Sequence, residues 1–299
     1  MKVYTLNAAK GIYNLKDKVF STPSLSFLKQ GMNVKIDSDG FWTLREGRGA
    51  KKYTGAPHSA DPQGSGLFVD ASALKRITST ATTPYTTITI ATMSNNSPMV
   101  YAKLPGIGIA CSNGTDIGVV KNNAYTAFPN ATEQYQRKMP AGHILTLFNG
   151  TLFVARGGEI YYSEPMNYGI MDTRNKKKRL KGHITLMVAV DDGMYISDSY
   201  DTFFYQGATP HTMTAKLVAD YPAIAGINTT VERRLVGDGS LTGTVAYWQS
   251  TKGVCMGTAG GVFVNMTIEK HLLSGSPVKG TAFFRNNNGI PQFIAEGII

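Results

Sequence analysis

The sequence predicts an all-β chain, a β-propeller of about five to seven blades behind a short irregular N-terminal arm. Three observations carry that expectation. Charged residues make up only 17% of the 299, while 32 glycines accompany a large share of β-branched and aromatic residues, a composition suited to short strands and tight turns. Five segments repeat one pattern, a short apolar run, a Gly/Asn/Asp turn and a second apolar run. The turn glycines Gly114, Gly158, Gly193, Gly260 and Gly289 fall 44, 35, 67 and 29 residues apart, close to the roughly 30–45 residues of a four-stranded blade.

Taken in order, residues 1–60 read as the arm with the first strands, and 61–299 as the blades of a single domain. Ser21–Gln30 suits one or two helical turns, with Thr22-Pro23 as cap and first-turn proline. Thr78–Thr92 is a Thr/Ile run whose second half reads as a strand, with Pro84 marking its start or a sheet edge. The hairpins follow at Ile109–Val120, Leu152–Ser163, Leu186–Ser197, Gly253–Val264 and Phe283–Ile294, each with residues at its turn that tolerate positive φ. Further strands fill the wide gap, at Thr230–Val236 and Thr244–Gln249. Tyr135–Lys138 and Met213–Val218 are too short to be significant helices. A β-sandwich with irregular loops is the competing arrangement.

No apolar stretch approaches the ~20 residues of a membrane-spanning helix, and no apolar h-region of a signal peptide is visible near Met1. Cys111 and Cys255 lie in strand-like segments and read as buried thiols. The Asn-x-Ser/Thr triplets at Asn95, Asn113, Asn130, Asn149, Asn228 and Asn265 read as turn chemistry.

Catalytic patterns are scarce. The five histidines are scattered without ligand spacing, neither cysteine has a neighbouring ligand, and Asp191-Asp192-Gly193 lacks the spaced oxygens of a calcium loop, which leaves it a hairpin turn. There is no Gly-x-Ser-x-Gly elbow and no phosphate-binding loop. The expectation is a non-enzyme without cofactor or metal. Thirty basic against twenty acidic residues leave a charge of +10, which favours acidic partners or phosphate backbones. Two candidate interaction sites stand out: the basic run Lys176, Lys177, Lys178 and Arg179, within the loop-like stretch Asp172–Lys181, and the aromatics Tyr200, Phe203, Phe204 and Tyr205, for which packing between blades is the bland reading.

The N-terminal phrases Gly11-Ile-Tyr-Asn14, Asn33-Val-Lys-Ile-Asp37 with Gly40, and Arg45 with Gly47 resemble the opening of a group of bacteriophage virion proteins. Ile160–Gly169, Asp192–Ser197 and Trp248–Thr267 are similar to blade phrases of the same group. That resemblance implies a structural β-propeller of the phage tail or head-to-tail interface, nozzle- or hub-like. It implies a homo-oligomeric ring that docks tail, adaptor or fibre proteins, located in the virion after assembly in the host cytoplasm, with transient contact to passing DNA. A propeller that binds or degrades host-surface glycans is the alternative, with Trp42 and Trp248 its only tryptophans. Closure of the ring is expected from Val34–Ile36 or Trp42–Leu44 pairing with Pro291–Ala295 in one blade.

Overall fold

The computed structural model describes residues 34–36, 42–44, 53–82, 84–174, 177–236, 242–268, 278–287 and 290–298. The Ser21–Gln30 segment and Lys176 lie outside them. A hairpin of β1 (Val34–Ile36) and β2 (Trp42–Leu44) comes first. Five sheets then follow in chain order, each built on a four-stranded antiparallel meander.

Blade 1 holds β3 (Pro57–His58), β4 (Leu67–Asp70), β5 (Ala73–Ser79) and β6 (Thr86–Thr92). Blade 2 holds β7 (Val100–Leu104), β8 (Gly108–Ser112), β9 (Ile117–Lys121) and β10 (Ala124–Ala127). A clip of β11 (Gln136–Lys138) and β15 (Ile170–Asp172) flanks blade 3, which contains β12 (Ile144–Phe148), β13 (Thr151–Arg156), β14 (Glu159–Tyr162) and β16 (Lys178–Arg179). Blade 4 comprises β17 (Leu186–Val190), β18 (Gly193–Ser197), β19 (Thr202–Gln206) and β20 (Thr214–Ala219). Blade 5 is β21 (Ala223–Glu232), β22 (Thr244–Ser250), β23 (Gly253–Gly257) and β24 (Phe263–Asn265), extended by the hairpin of β25 (Lys279–Asn287) and β26 (Ile290–Ile298). The arrangement is a five-bladed β-propeller, and all five expected hairpins are present in register.

Two expectations need correction. Among the described residues the arm does not pair with the C-terminal strand: β1 pairs with β2 and β26 with β25, and β25 meets β21 in parallel at Ala225↔Lys279. Each terminal strand has an antiparallel partner next to it in sequence, so its ladder is filled locally. The stretch Asp172–Lys181 is not wholly loop either, because Lys178 and Arg179 pair with Ile160 and Glu159 as the fourth strand of blade 3.

The first strands β7, β12, β17 and β21 lie side by side, and the sheets pack face to face through four apolar layers. Leu67, Val69 and Leu74 meet Cys111 and Val120 between blades 1 and 2. Leu104 and Ala110 meet Leu145 and Val154 between blades 2 and 3. Phe153 and Ile160 meet Met187, Met194 and Ile196 between blades 3 and 4. Tyr195 and Phe204 meet Ala246, Trp248 and Cys255 between blades 4 and 5. Both faces of an inner blade are therefore covered, and β13 and β18 are buried nearly end to end, unlike a half-solvated antiparallel sheet.

Hydroxyl groups stitch three of the four seams. Ser112 Oγ accepts from Gly142 N at 3.0 Å and donates to Gly142 O at 2.9 Å, Thr146 Oγ1 donates to Met187 O at 2.6 Å, and Thr202 Oγ1 donates to Tyr221 O at 2.9 Å. These bonds satisfy polar groups that would be costly to bury alone. At the opposite end of blade 4 the carboxylates of Asp191 and Asp192 accept from Thr244 N at 3.1 Å and Gly260 N at 2.9 Å, tying blade 4 to blade 5. The expected hairpin turn at Asp191-Asp192 is thus also an inter-blade tie. Gly193 closes that turn where Tyr205 O and the Phe204 ring leave no room for a Cβ.

The asparagines named above mostly serve turns. Asn95 accepts from Ser97 N, Asn113 from Thr115 N and Asp116 N, and Asn265 from Thr267 N and Ile268 N. Asn149 takes a φ of 45° in the β12–β13 turn, whereas Asn228 lies inside β21. Both cysteines are free and buried, and burial pushes their thiols up, to about 12 for Cys111 and about 11 for Cys255.

Candidate interaction surfaces

The basic run and the aromatic strand, read separately in the sequence, meet at the junction of blades 3 and 4. Lys178 lies half-buried, its Nζ 5.7 Å from the Tyr205 ring centroid and donating to Met213 O at 3.3 Å. Desolvation holds this ammonium below the usual lysine value. Lys177 pairs with Glu159 at 2.6 Å and lies 5.8 Å from the Tyr161 centroid. That pairing, with the Tyr161 hydroxyl second, holds the Glu159 carboxyl below its usual value. Arg179 projects outward. Two of the four cations, Lys177 and Lys178, thereby have partners within the chain.

The aromatic set divides similarly. Phe204 is 1% exposed and packs on Tyr195, with ring centroids 4.9 Å apart, so it offers no contact surface. Phe203 and Tyr205 are half-buried against the blade 3–4 layer. Tyr200 alone stands out, 52% exposed, with Lys181 Nζ 4.8 Å from its centroid. Its turn is held by the buried Asp198 carboxylate, which accepts from Tyr200 N and Asp201 N at 2.9 Å and from Gly182 N at 3.0 Å.

Beside this turn His143 and His183 stack, with centroids 4.4 Å apart and rings inclined by 20°. His143 Nε2 lies 2.8 Å from Ile184 O, which can only accept, so Nε2 carries the proton. Burial above all, and His183 in addition, lowers the His143 pKa. The folded state therefore disfavours a proton that the unfolded chain takes up near pH 6.5. Stability is expected to fall as pH drops below about 6.5, and His143→Gln should flatten that part of the pH profile. Thermal melts from pH 5 to 8 check this, and an equally steep profile in the variant would refute it.

Sequence reasoning missed two apolar surfaces. Along the outer edge of blade 5, Phe263 turns inward to stack on Trp248 at 5.8 Å, and Asn265 donates to Tyr221 Oη at 3.0 Å. Their alternates Val262, Val264, Met266 and Ile268 point the other way and are 44–56% exposed. This is an unusual run of apolar side chains in solvent. On blade 1, the face away from blade 2 carries a groove of about 530 Å³ lined by Tyr53, Pro57, Phe68, Ile77 and Tyr85. Tyr53 meets Phe68 edge-on at 5.0 Å and donates to Asp70 at 2.7 Å, and Lys75 pairs with Asp70 at 2.8 Å. The lysine first, then the tyrosine, push the Asp70 carboxyl down to about 2. Among the described residues no apolar layer joins blade 5 to blade 1. The period-2 apolar run 262–268 is legible in the sequence, but nothing there says which blade ends the series.

Among the described residues no group of three or more His, Cys, Asp or Glu side chains could hold a metal ion, and no helix is long and apolar enough to cross a membrane. Trp248 is wholly buried between blades 4 and 5 and offers no platform to a sugar.

No protein-family model matches the sequence, and no curated protein is similar to it. Solved structures resemble it in part. The extracellular domain of a hybrid two-component system from B. thetaiotaomicron is 12% identical over 74% of this chain and 29% of its own, with a TM-score of 0.49. The Neurospora crassa Pan2 WD40 domain is 12% identical over 72% of this chain and 64% of its own, with a TM-score of 0.45. BBS1N, crystallised with ARL6DN, is 11% identical over 84% of this chain and 95% of its own, with a TM-score of 0.41. This chain thus spans less than a third of the bacterial domain and under two thirds of the Pan2 domain. The propeller assignment rests on strand order and register, and these likenesses add nothing about ligand or activity.

Proposed function

We propose that the chain is a structural, non-catalytic propeller of a bacteriophage tail or head-to-tail assembly, built into the virion as a ring of copies. The observation that supports this reading is the pair of unmatched apolar surfaces at opposite ends of the blade series. Blade 5 carries a protruding stripe, Val262, Val264, Met266 and Ile268, and blade 1 carries a groove lined by Tyr53, Phe68, Ile77 and Tyr85. Two different patches that fit each other make a heterologous contact, and a heterologous contact that closes makes a ring. The stripe of one copy would enter the groove of the next. Rigid blades would then hold the ring's bore, and a charge of +10 suits a wall beside passing DNA. The phage context comes from the sequence phrases noted above. Neighbouring tail, adaptor or fibre proteins would dock on the remaining loops.

The test is light scattering with negative-stain imaging of the full chain. A discrete ring is expected, and Val264→Lys with Met266→Lys should yield monomers that melt within a few degrees of the parent, since both side chains are exposed. A wild-type protein that stays monomeric, joins no virion complex and binds host glycans would overturn the reading. So would a double variant that still forms rings.

A further inference from the structure

A second cavity, of about 570 Å³, opens at the junction of blades 1 and 2, beside the 59–66 loop and the β7–β8 and β9–β10 turns. Its lining brings together Arg76, Lys103 and Lys121 against one carboxylate, Asp61. The register Leu67↔Arg76 turns Arg76 toward blade 2, the side that Leu67 also faces. There Arg76 Nη1 donates to Asn123 Oδ1 at 2.6 Å, which leaves most of the guanidinium fork unused. Its Nε is buried without a hydrogen-bond partner, a costly state for a charged group. Lys103 and Lys121 are exposed at the rim and take part in no ion pair among the described residues. Three cations directed at one space, with a single opposing carboxylate, favour an oxyanion.

The remaining lining determines what carries that oxyanion. Asp61 is buried and holds Gln63 N at 3.0 Å through Oδ1. Its Oδ2, with the Gln63 and Asn122 side chains, supplies acceptors and donors suited to hydroxyl groups. The volume lies within the range of small-molecule sites. We propose that this cavity binds a saccharide bearing a carboxylate or phosphate group, with the oxyanion on Arg76, Lys103 and Lys121 and the ring hydroxyls toward Asp61, Gln63 and Asn122. The cavity adjoins the blade 1 groove, with Asp61, Gly64 and Ser65 lining both, but Arg76, Lys103 and Lys121 line the cavity alone.

Titration calorimetry on the full chain tests it, with glucuronate, glucose 6-phosphate, inorganic phosphate and glucose as probes. Glucuronate or glucose 6-phosphate is expected to bind at least ten-fold tighter than phosphate, and glucose not at all. Lys103→Gln with Lys121→Gln, both at exposed positions, should weaken the sugar acids at least ten-fold while leaving the melting temperature unchanged. Arg76→Gln should abolish binding. Failure of both sugar acids to bind, glucose binding as well as they do, free phosphate binding as tightly, or undiminished binding in the lysine variant would each overturn the proposal.

Discussion

Replacing Trp248 with alanine is expected to cost about 3–5 kcal/mol, the usual range for a large aromatic side chain removed from a core. Trp248 is fully buried and packs on Tyr195 at 5.2 Å and on Phe263 at 5.8 Å, so its loss opens a cavity within the blade 4–5 layer. Gly257 lies against the Tyr195 and Trp248 rings where no Cβ fits, so that side of the cavity has no side chain of its own to fill it. Trp248→Phe should cost clearly less. It removes an indole Nε1 that is buried without a partner, and this gain offsets part of the lost volume. Urea denaturation of the three proteins decides the matter, and equal losses in the two variants would show that the unpartnered donor is of no consequence.

Asp198→Ala should be the second most damaging change, at roughly 2–4 kcal/mol, because one buried carboxylate serves three backbone N–H groups. Those donors belong to Gly182 in the linker from blade 3 and to Tyr200 and Asp201 in the β18–β19 turn. The loss therefore loosens a turn and a blade connection together. Asp198→Asn keeps a carbonyl acceptor and is expected to recover about half of the loss. A loss below 1 kcal/mol in the alanine variant would mean that water replaces the carboxylate.

The hairpins were legible because Gly114, Gly260 and the Asp191-Asp192 pair each interrupt short apolar runs, and a tight turn leaves few other ways to fold such a run. Burial was harder to read. In β19, Thr202 and Phe204 are buried while Phe203 and Tyr205 are half-buried, because an inner blade is packed on both faces. Alternation then loses its power to separate core from surface, and Phe204 could not be told from Tyr200 by residue type. Lys178 was hidden for a related reason, since its stem and ammonium cover the Tyr205 ring while its sequence neighbours are charged. The blade 1–2 cavity was not legible, because Arg76, Lys103 and Lys121 are brought together only by the stacking of two sheets. The pairing of the termini was misjudged because sequence shows which strands can pair, and local hairpins had the shorter loops to close.

The blade-to-blade layers have a consequence for how the protein comes apart. Among the described residues each blade exchanges apolar contacts only with its neighbours in the chain, as in a one-dimensional array with nearest-neighbour coupling. In such an array the units in the middle are supported from two sides and the end units from one. Opening should therefore start at blades 1 and 5 and progress inward, with the amides of β13 and β18 the last to exchange with solvent. A neighbour seated against an end blade would supply its missing coupling, so assembly would make a chain that frays from its ends unfold as one cooperative unit.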